Sequence, residues 1–329
     1  MHGWIILDKP LGLGSTQAVS AVKRALRESR YGKAKVGHGG TLDPLASGVL
    51  PVAIGEATKL AGRMLDSDKV YEFTIGFGEE TDTLDAEGKV IATSEVRPRR
   101  EQVEAVLSHF TGPIEQMPPA YSALKVDGER AYDLARAGEE VVLAKRAVTV
   151  RSLTLSSPAR GKWQPQADGG GGHATDVIAS SPSGASRHLP LAGEDLADIT
   201  LTAHVSKGTY IRSLARDIAH ALGTVGHVTW LRRIKAGPFG LQSAISLDKL
   251  AEHAKARTLE HILLPLRAGL DDIPALSLDP DQAGALRQGR VLAGIAEDDG
   301  LHFAMLGEIP VALVEIASGE ARVVRGFNI

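Results

Sequence analysis

The 329-residue sequence contains no cysteine. That absence excludes disulfides, thiolate catalysis and cysteine-ligated zinc, and it fits a cytoplasmic protein. The 11 histidines are scattered, with no His-Glu-x-x-His or comparable spacing, so no structural metal is expected. No apolar run approaches the length of a membrane span, and the run Trp4 to Leu7 is too short for a signal peptide. The pair Gly12-x-Gly14 lacks the third glycine of a dinucleotide loop and no Walker lysine follows, which removes both nucleotide-loop readings. The acidic turn Thr81 to Gly88 also fails as a calcium loop. It has Thr83 where the first ligand should be Asp and Ser94 where the last should be Glu.

Net charge is small too, at −3, but its distribution is uneven. Residues 1–65 carry nine Lys and Arg against four acids, and residues 207–235 carry six against Asp217 alone. From 266 onward five Arg face ten acids. Two basic segments in an acidic chain suggest a positive groove suited to a phosphate backbone, although a solvated helix face reads the same way for Lys23 to Arg30 alone.

Apolar spacing supplies the elements. Trp4 to Leu7 predicts a first strand, and Ser15-Thr16 predicts the cap of a helix on Val19, Val22 and Leu26. Val49 to Ile54 reads as a short buried strand, and Glu56 to Leu65 as a helix leading away from it. Lys69 to Phe77 is the clearest strand, with Tyr71, Phe73, Ile75 and Phe77 alternating onto one face. Helices are expected over Arg100 to Phe110, Glu129 to Ala137 and Tyr210 to Gly223, and strands over Arg146 to Leu155, Ile199 to Val205 and Val225 to Ile234. Residues 156–197, rich in Gly, Ser and Pro, read as a flexible insertion without chemistry. Past Pro265 the chain turns acidic, Asp279-Pro280 opens a helix, and short β-like runs follow. The expected division is residues 1–266 and a C-terminal unit at 270–329.

One stretch is suited to chemistry. Val36 to Gly55 holds Asp43 and His38 among glycines at 37, 39, 40, 48 and 55, and Pro44 pushes Asp43 toward an extended conformation. A flexible-looking loop delivering one carboxylate at the lip of a strand is what a catalytic site needs. A glycine-rich loop whose Asp caps a turn looks the same locally, and on local geometry alone it is the stronger reading.

The motifs in order resolve this. Leu7-Asp8-Lys9-Pro10, Gly37 to Gly48, Gly55-Glu56-Ala57-Thr58-Lys59, Asp66 to Tyr71, Thr81-Asp82-Thr83 with Asp85 and Gly88, Tyr121 to Lys125, Lys207 to Arg212, and His227 with Leu231-Arg232-Arg233 follow one another. Together they resemble the TruB family of bacterial tRNA pseudouridine-55 synthases over most of the chain.

The resemblance implies an α/β pseudouridine synthase fold. Its central sheet would be mixed, largely antiparallel and flanked by helices, with a small C-terminal β-rich domain of PUA type. Asp43 would be the catalytic aspartate, Tyr71 would stack on the target uracil and join the proton transfer from C5, Arg212 would pair with Asp43, and Leu231 would pack against both base and carboxylate. His38 would enter the space left by the flipped nucleotide. Lys9, Tyr210, Arg232 and a thumb-like segment bearing Tyr121 and Lys125 would shape the RNA cleft. The implied enzyme is cytoplasmic and monomeric. It acts on the T arm of tRNA with no cofactor, metal, guide RNA or obligatory protein partner.

Three other readings stand beside it. A guide-RNA-dependent synthase is disfavoured by the segment Tyr121 to Val141, which such proteins tend to lack. A non-catalytic tRNA-folding protein is disfavoured by the intact Asp43 and Arg212, and a metal-dependent hydrolase by the missing ligand spacing. The acidic C-terminal unit either docks on the catalytic part or meets RNA only through Arg287, Arg290 and Arg325.

Overall fold

In the computed structural model, residues 1–122, 124–126, 128–139, 141–156 and 195–329 are described, so the expected insertion lies, apart from its flanks, outside the described residues. The strand Lys69–Phe77 occupies the middle of a nine-stranded sheet. The path across it runs Gly3–Lys9, Ala46–Ile54, Gly226–Ala236, Lys69–Phe77, Asp198–Val205, Arg146–Leu155 and Gly112–Gln116. Val36–His38 pairs onto Ala46–Ile54, and Phe239–Gly240 onto Gly226–Ala236. Every pairing in this sheet is antiparallel except that of Ala46–Ile54 with Gly226–Ala236, which sets Leu231 beside Ala46. The sheet is therefore mixed and largely antiparallel, as expected.

The predicted alternation decides what the sheet covers. Phe73, Ile75 and Phe77 share a core with Leu201, Ala203, Val228 and Leu231, closed by Ile211, Leu214 and Ile218 of helix Ile211–Ala221 and by Val103, Val106 and Leu107 of helix Arg100–Leu107. Each large apolar side chain so buried contributes about 1.5–3 kcal/mol. Residues between them point to the opposite side of the sheet, where the Thr74 and Thr200 hydroxyls lie 2.8 Å apart. A second core joins Ile5, Leu7, Leu50 and Val52 to helices Ser15–Glu28 and Leu247–Ala256.

Several local expectations are corrected. Ser15 does not cap its helix; Gly14 does, with its N–H donating to Gln17 Oε1 at 2.8 Å. Glu56 to Leu65 divides into a 3₁₀ turn, Gly55–Leu60, and a short helix, Ala61–Asp66. The Asp279 cap forms as expected, accepting from Gln282 N, and Ser246 caps helix Leu247–Ala256, accepting from Lys249 N.

Residues from Ala275 to Gly326 build a separate five-stranded sheet with helix Pro280–Arg287, so a C-terminal β-rich domain is present. It docks on the first sheet. Phe303, Met305, Leu313 and Phe327 share a core with Trp4, Ile6 and Val49, Lys59 Nζ donates to Gly326 O at 2.8 Å, and Asn328 N donates to Glu56 Oε2 at 2.8 Å. The acidic composition of this domain is compatible with that role, because the seam is apolar and the polar ties use Lys59 and Arg63 of the basic N-terminal segment.

Candidate active site

The parallel pairing brings the Asp43 turn, immediately before Ala46–Ile54, alongside Leu231. The loop looks flexible in sequence but is held from several sides. Ser15 Oγ donates to Leu42 O at 2.9 Å and accepts from Leu42 N at 2.8 Å. Lys9 Nζ donates to Pro10 O, Leu13 O and Pro44 O at 3.0, 2.7 and 3.3 Å. Arg233, 1% exposed, donates to Val49 O, Thr41 O and Gly40 O at 2.8, 3.1 and 3.4 Å. Gly48, with φ +104°, passes so close to this arginine that an added Cβ would sit 2.2 Å from Arg233 O. Loop residues flanking Asp43 are thus fixed by buried donors while its own side chain stays 43% exposed.

Arg212 sits in the first turn of helix Ile211–Ala221 and is 6% exposed. One terminal nitrogen, Nη2, lies 3.0 Å from Asp43 Oδ2 and donates to Tyr121 O at 2.9 Å. The other, Nη1, lies 3.2 Å from Asp85 Oδ2 and donates to Thr83 O at 2.9 Å. The expected pair forms, but the guanidinium fork is split between two carboxylates. Asp85 is in turn fixed by Thr83 Oγ1 at 2.5 Å and Glu87 N at 3.1 Å. The acidic turn that fails as a calcium loop is therefore the support of Arg212.

Around this pair lies a cleft of about 210 Å³, lined among others by Asp43, Lys69, Tyr71, Tyr210, Leu231 and Arg233. Tyr71 stands opposite Ala203 and Arg233 on its neighbouring strands, and its ring packs on the main core. Gln116 brackets Tyr210, accepting from its N–H at 2.8 Å and donating to its carbonyl at 3.0 Å; burial pushes its phenol up. Lys69 Nζ donates to Met64 O, Leu65 O and Ser67 O at 2.8, 2.7 and 2.5 Å, and burial pushes it down to about 8.

The remaining expected residues lie elsewhere. His38 ends Val36–His38, with Nδ1 3.4 Å from Gly40 N; burial first, and then Arg233, push its imidazole down. Lys9 is wholly buried, and burial pushes its ammonium down to about 8, so whatever it does for the cleft passes through the loop it holds. Arg232 is buried and ion-paired to Asp8 at 2.7 Å, with Ser47 Oγ at 3.3 Å; it ties the sheet together and does not line the cleft. Tyr121 reaches the site through its carbonyl, and Lys125 is exposed on the two-residue strand Lys125–Val126. Asp85, Arg233 and Lys69 lie in the quoted motifs and Ser15 in the expected helix cap, but none was expected at the site. Lys69 was findable, two residues before Tyr71 on the same strand face. Among the described residues no three or more His, Asp or Glu side chains are grouped to hold a metal, and no helix is long and apolar enough to cross a membrane.

The mixed sheet thus carries Arg212, shared between Asp43 and Asp85, beside a cleft lined by Tyr71 and Tyr210. Two solved structures resemble it over 99% of the chain: one titled as an H/ACA RNP bound to a substrate RNA containing 2′-deoxyuridine (TM-score 0.67, 22% identity, 85% of that chain) and one of a Cbf5–Nop10–Gar1 complex (TM-score 0.65, 23% identity, 84% of that chain). The family model described as TruB family pseudouridylate synthase (N terminal domain) matches residues 27–168, and that described as tRNA pseudouridylate synthase B C-terminal domain matches residues 212–271. The tRNA pseudouridine synthase B of Novosphingobium aromaticivorans is 61% identical over 329 residues, covering all of this chain and 98% of the relative, and that of Zymomonas mobilis is 58% identical over 328, covering 96% of the relative. The chain belongs to the TruB family.

Proposed function

We propose that the protein converts uridine to pseudouridine at position 55 in the T loop of tRNA, without cofactor or guide RNA. The observation that carries this reading is the Asp43 carboxylate, part exposed in the cleft and 3.0 Å from a buried arginine. The target base flips from the loop at a cost of a few kcal/mol and enters between Tyr71 and Leu231. Stacking on an aromatic ring returns about 1–3 kcal/mol of that. Breaking the N1–C1′ bond, rotating the ring and forming the C5–C1′ bond keeps every atom; the proton lost from C5 is balanced by one gained at N1.

Asp43 is the group at the reacting ring. A carboxylate there can attack the nucleotide or stabilise a glycal-type intermediate, and both routes need the same aimed anion. Arg212 supplies the counter-charge from a buried position where it is little screened. Tyr71 holds the base and takes part in the proton transfer from C5. His38, beside the glycine loop, fills the gap left in the RNA, and Tyr121 and Lys125 belong to the segment that grips the T arm. Recognition is of a folded arm and its splayed loop. The enzyme acts as a cytoplasmic monomer, with residues 1–266 as the catalytic domain and 270–329 as a PUA-type domain.

The test is to incubate the protein with an unmodified tRNA transcript in EDTA and map pseudouridine by chemical labelling. Modification at the T-loop uridine is expected. None at that site would overturn the reading, and modification that requires an added guide would select a guide-dependent enzyme.

A further inference from the structure

The helix Ser15–Glu28 carries a feature the reaction does not use. Lys23, Arg24, Arg27 and Arg30 are exposed along its outer face and end, and Lys33 and Lys35, also exposed, continue the series toward His38. Glu28 is the sole acid from Ser15 to Lys35. None of the six cations has an ion-pair partner among the described residues, whereas elsewhere Arg63, Arg100, Arg151, Arg267 and Arg322 each have a carboxylate. A chain of net charge −3 thus keeps an uncompensated basic track in one place.

The track is tied to the catalytic loop at both ends. At its start, Ser15 is bonded twice to Leu42, the residue before Asp43. At its finish, Lys35 O accepts from Gly55 N at 2.8 Å, and Val36–His38 pairs with Ala46–Ile54. The helix is seated by Val19, Val22 and Leu26 in the core shared with Leu247–Ala256, so the cations project from a rigid support. At 1.5 Å per residue, Lys23 to Arg27 lie about 12–18 Å along the axis from Ser15. None of them lines the cleft, and the displacement suits contact with the arm leading to it.

We propose that this face of Ser15–Glu28, with Lys33 and Lys35, is a second tRNA contact that binds the phosphate backbone outside the flipped nucleotide and its neighbours. It rests on the tRNA-isomerase reading of the site. Its chemistry is charge complementarity without base readout: long cationic side chains meeting phosphates and releasing counterions. The contact sets affinity and encounter rate and leaves the chemical step untouched.

The test uses the full chain with Lys23, Arg24, Arg27 and Arg30 all changed to Gln, and a comparison variant with Arg287, Arg290, Arg322 and Arg325 changed to Gln. Binding of an unmodified tRNA transcript is measured from 50 to 200 mM KCl. Each phosphate contact contributes roughly 0.7–0.9 to the slope of log Kd against log salt. The helix variant should lose roughly 3–3.5 from that slope and bind at least about tenfold more weakly at 0.15 M salt. Its single-turnover rate at saturating tRNA and its melting temperature should match the parent. An unchanged slope, or an equal loss from the C-terminal variant, overturns the proposal while normal turnover leaves the isomerase reading intact.

Discussion

Arg212 stands between Asp43 and Asp85, 3.0 Å from the first and 3.2 Å from the second, and uses a different nitrogen for each. Asp85, with its side chain 10% exposed, anchors the arginine from behind, and Asp43, 43% exposed, is presented in front. The two carbonyl acceptors, Thr83 O and Tyr121 O, leave the guanidinium little freedom to rotate.

Arg212→Lys should lower kcat by about a hundredfold or more, because one ammonium cannot span two carboxylates and two carbonyls in a plane. Asp85, left partly unpaired in a buried turn, should also reduce stability by up to about 3–5 kcal/mol. Single-turnover rates and urea unfolding read the two effects separately. Near-normal turnover would remove Arg212 from the mechanism.

Asp43→Asn should abolish turnover and leave tRNA affinity and melting temperature close to the parent, since the side chain is part exposed and its loop is held by Lys9, Ser15 and Arg233. Loss of both activity and binding would mark the carboxylate as structural. Asp85→Asn should reduce kcat by about tenfold to a hundredfold with KM little changed, as an indirect support would.

Arg233→Gln removes the donors to Val49 O, Thr41 O and Gly40 O from a site 1% exposed. Unsatisfied buried carbonyls predict a loss of about 3 kcal/mol, measurable by urea unfolding. Turnover should fall as well, because the released loop carries Asp43. A variant as stable as the parent would show that the loop holds itself.

Lys9 gives the pH dependence a sign. Burial lowers its value from 10.5 to about 8 in the folded chain. Between those values the unfolded chain holds a proton that the folded chain has lost, so this contribution to stability rises with pH and is a penalty below pH 8. Unfolding free energies at pH 7.5 and 9.5 should therefore rise more in the parent than in Lys9→Met. Parallel changes would show that burial does not set this group's titration.

The pattern of apolar residues by itself determined the strand Lys69–Phe77, with Tyr71, Phe73, Ile75 and Phe77 on one face, and the helix that carries Arg212. Local periodicity suffices there, because a two-residue or 3.6-residue repeat fixes which side is buried. The motif order likewise named Asp43, Tyr71, Leu231 and Arg212 before any geometry was known, and all four line one cleft. The tertiary structure decided the rest. Arg232 and Arg233 are adjacent and chemically identical, yet successive strand residues point to opposite faces, so one ties Asp8 into the sheet and the other holds the loop that carries Asp43. Ser15 has the composition of a cap and becomes a bolt for Leu42, because Gly14 already occupies the cap position. The resemblance implied the pairing of Arg212 with Asp43, but Asp85's share in that arginine was not legible. Those three residues come from a loop, a turn and a helix far apart in the chain, and only the folded sheet brings their charges within 3.2 Å.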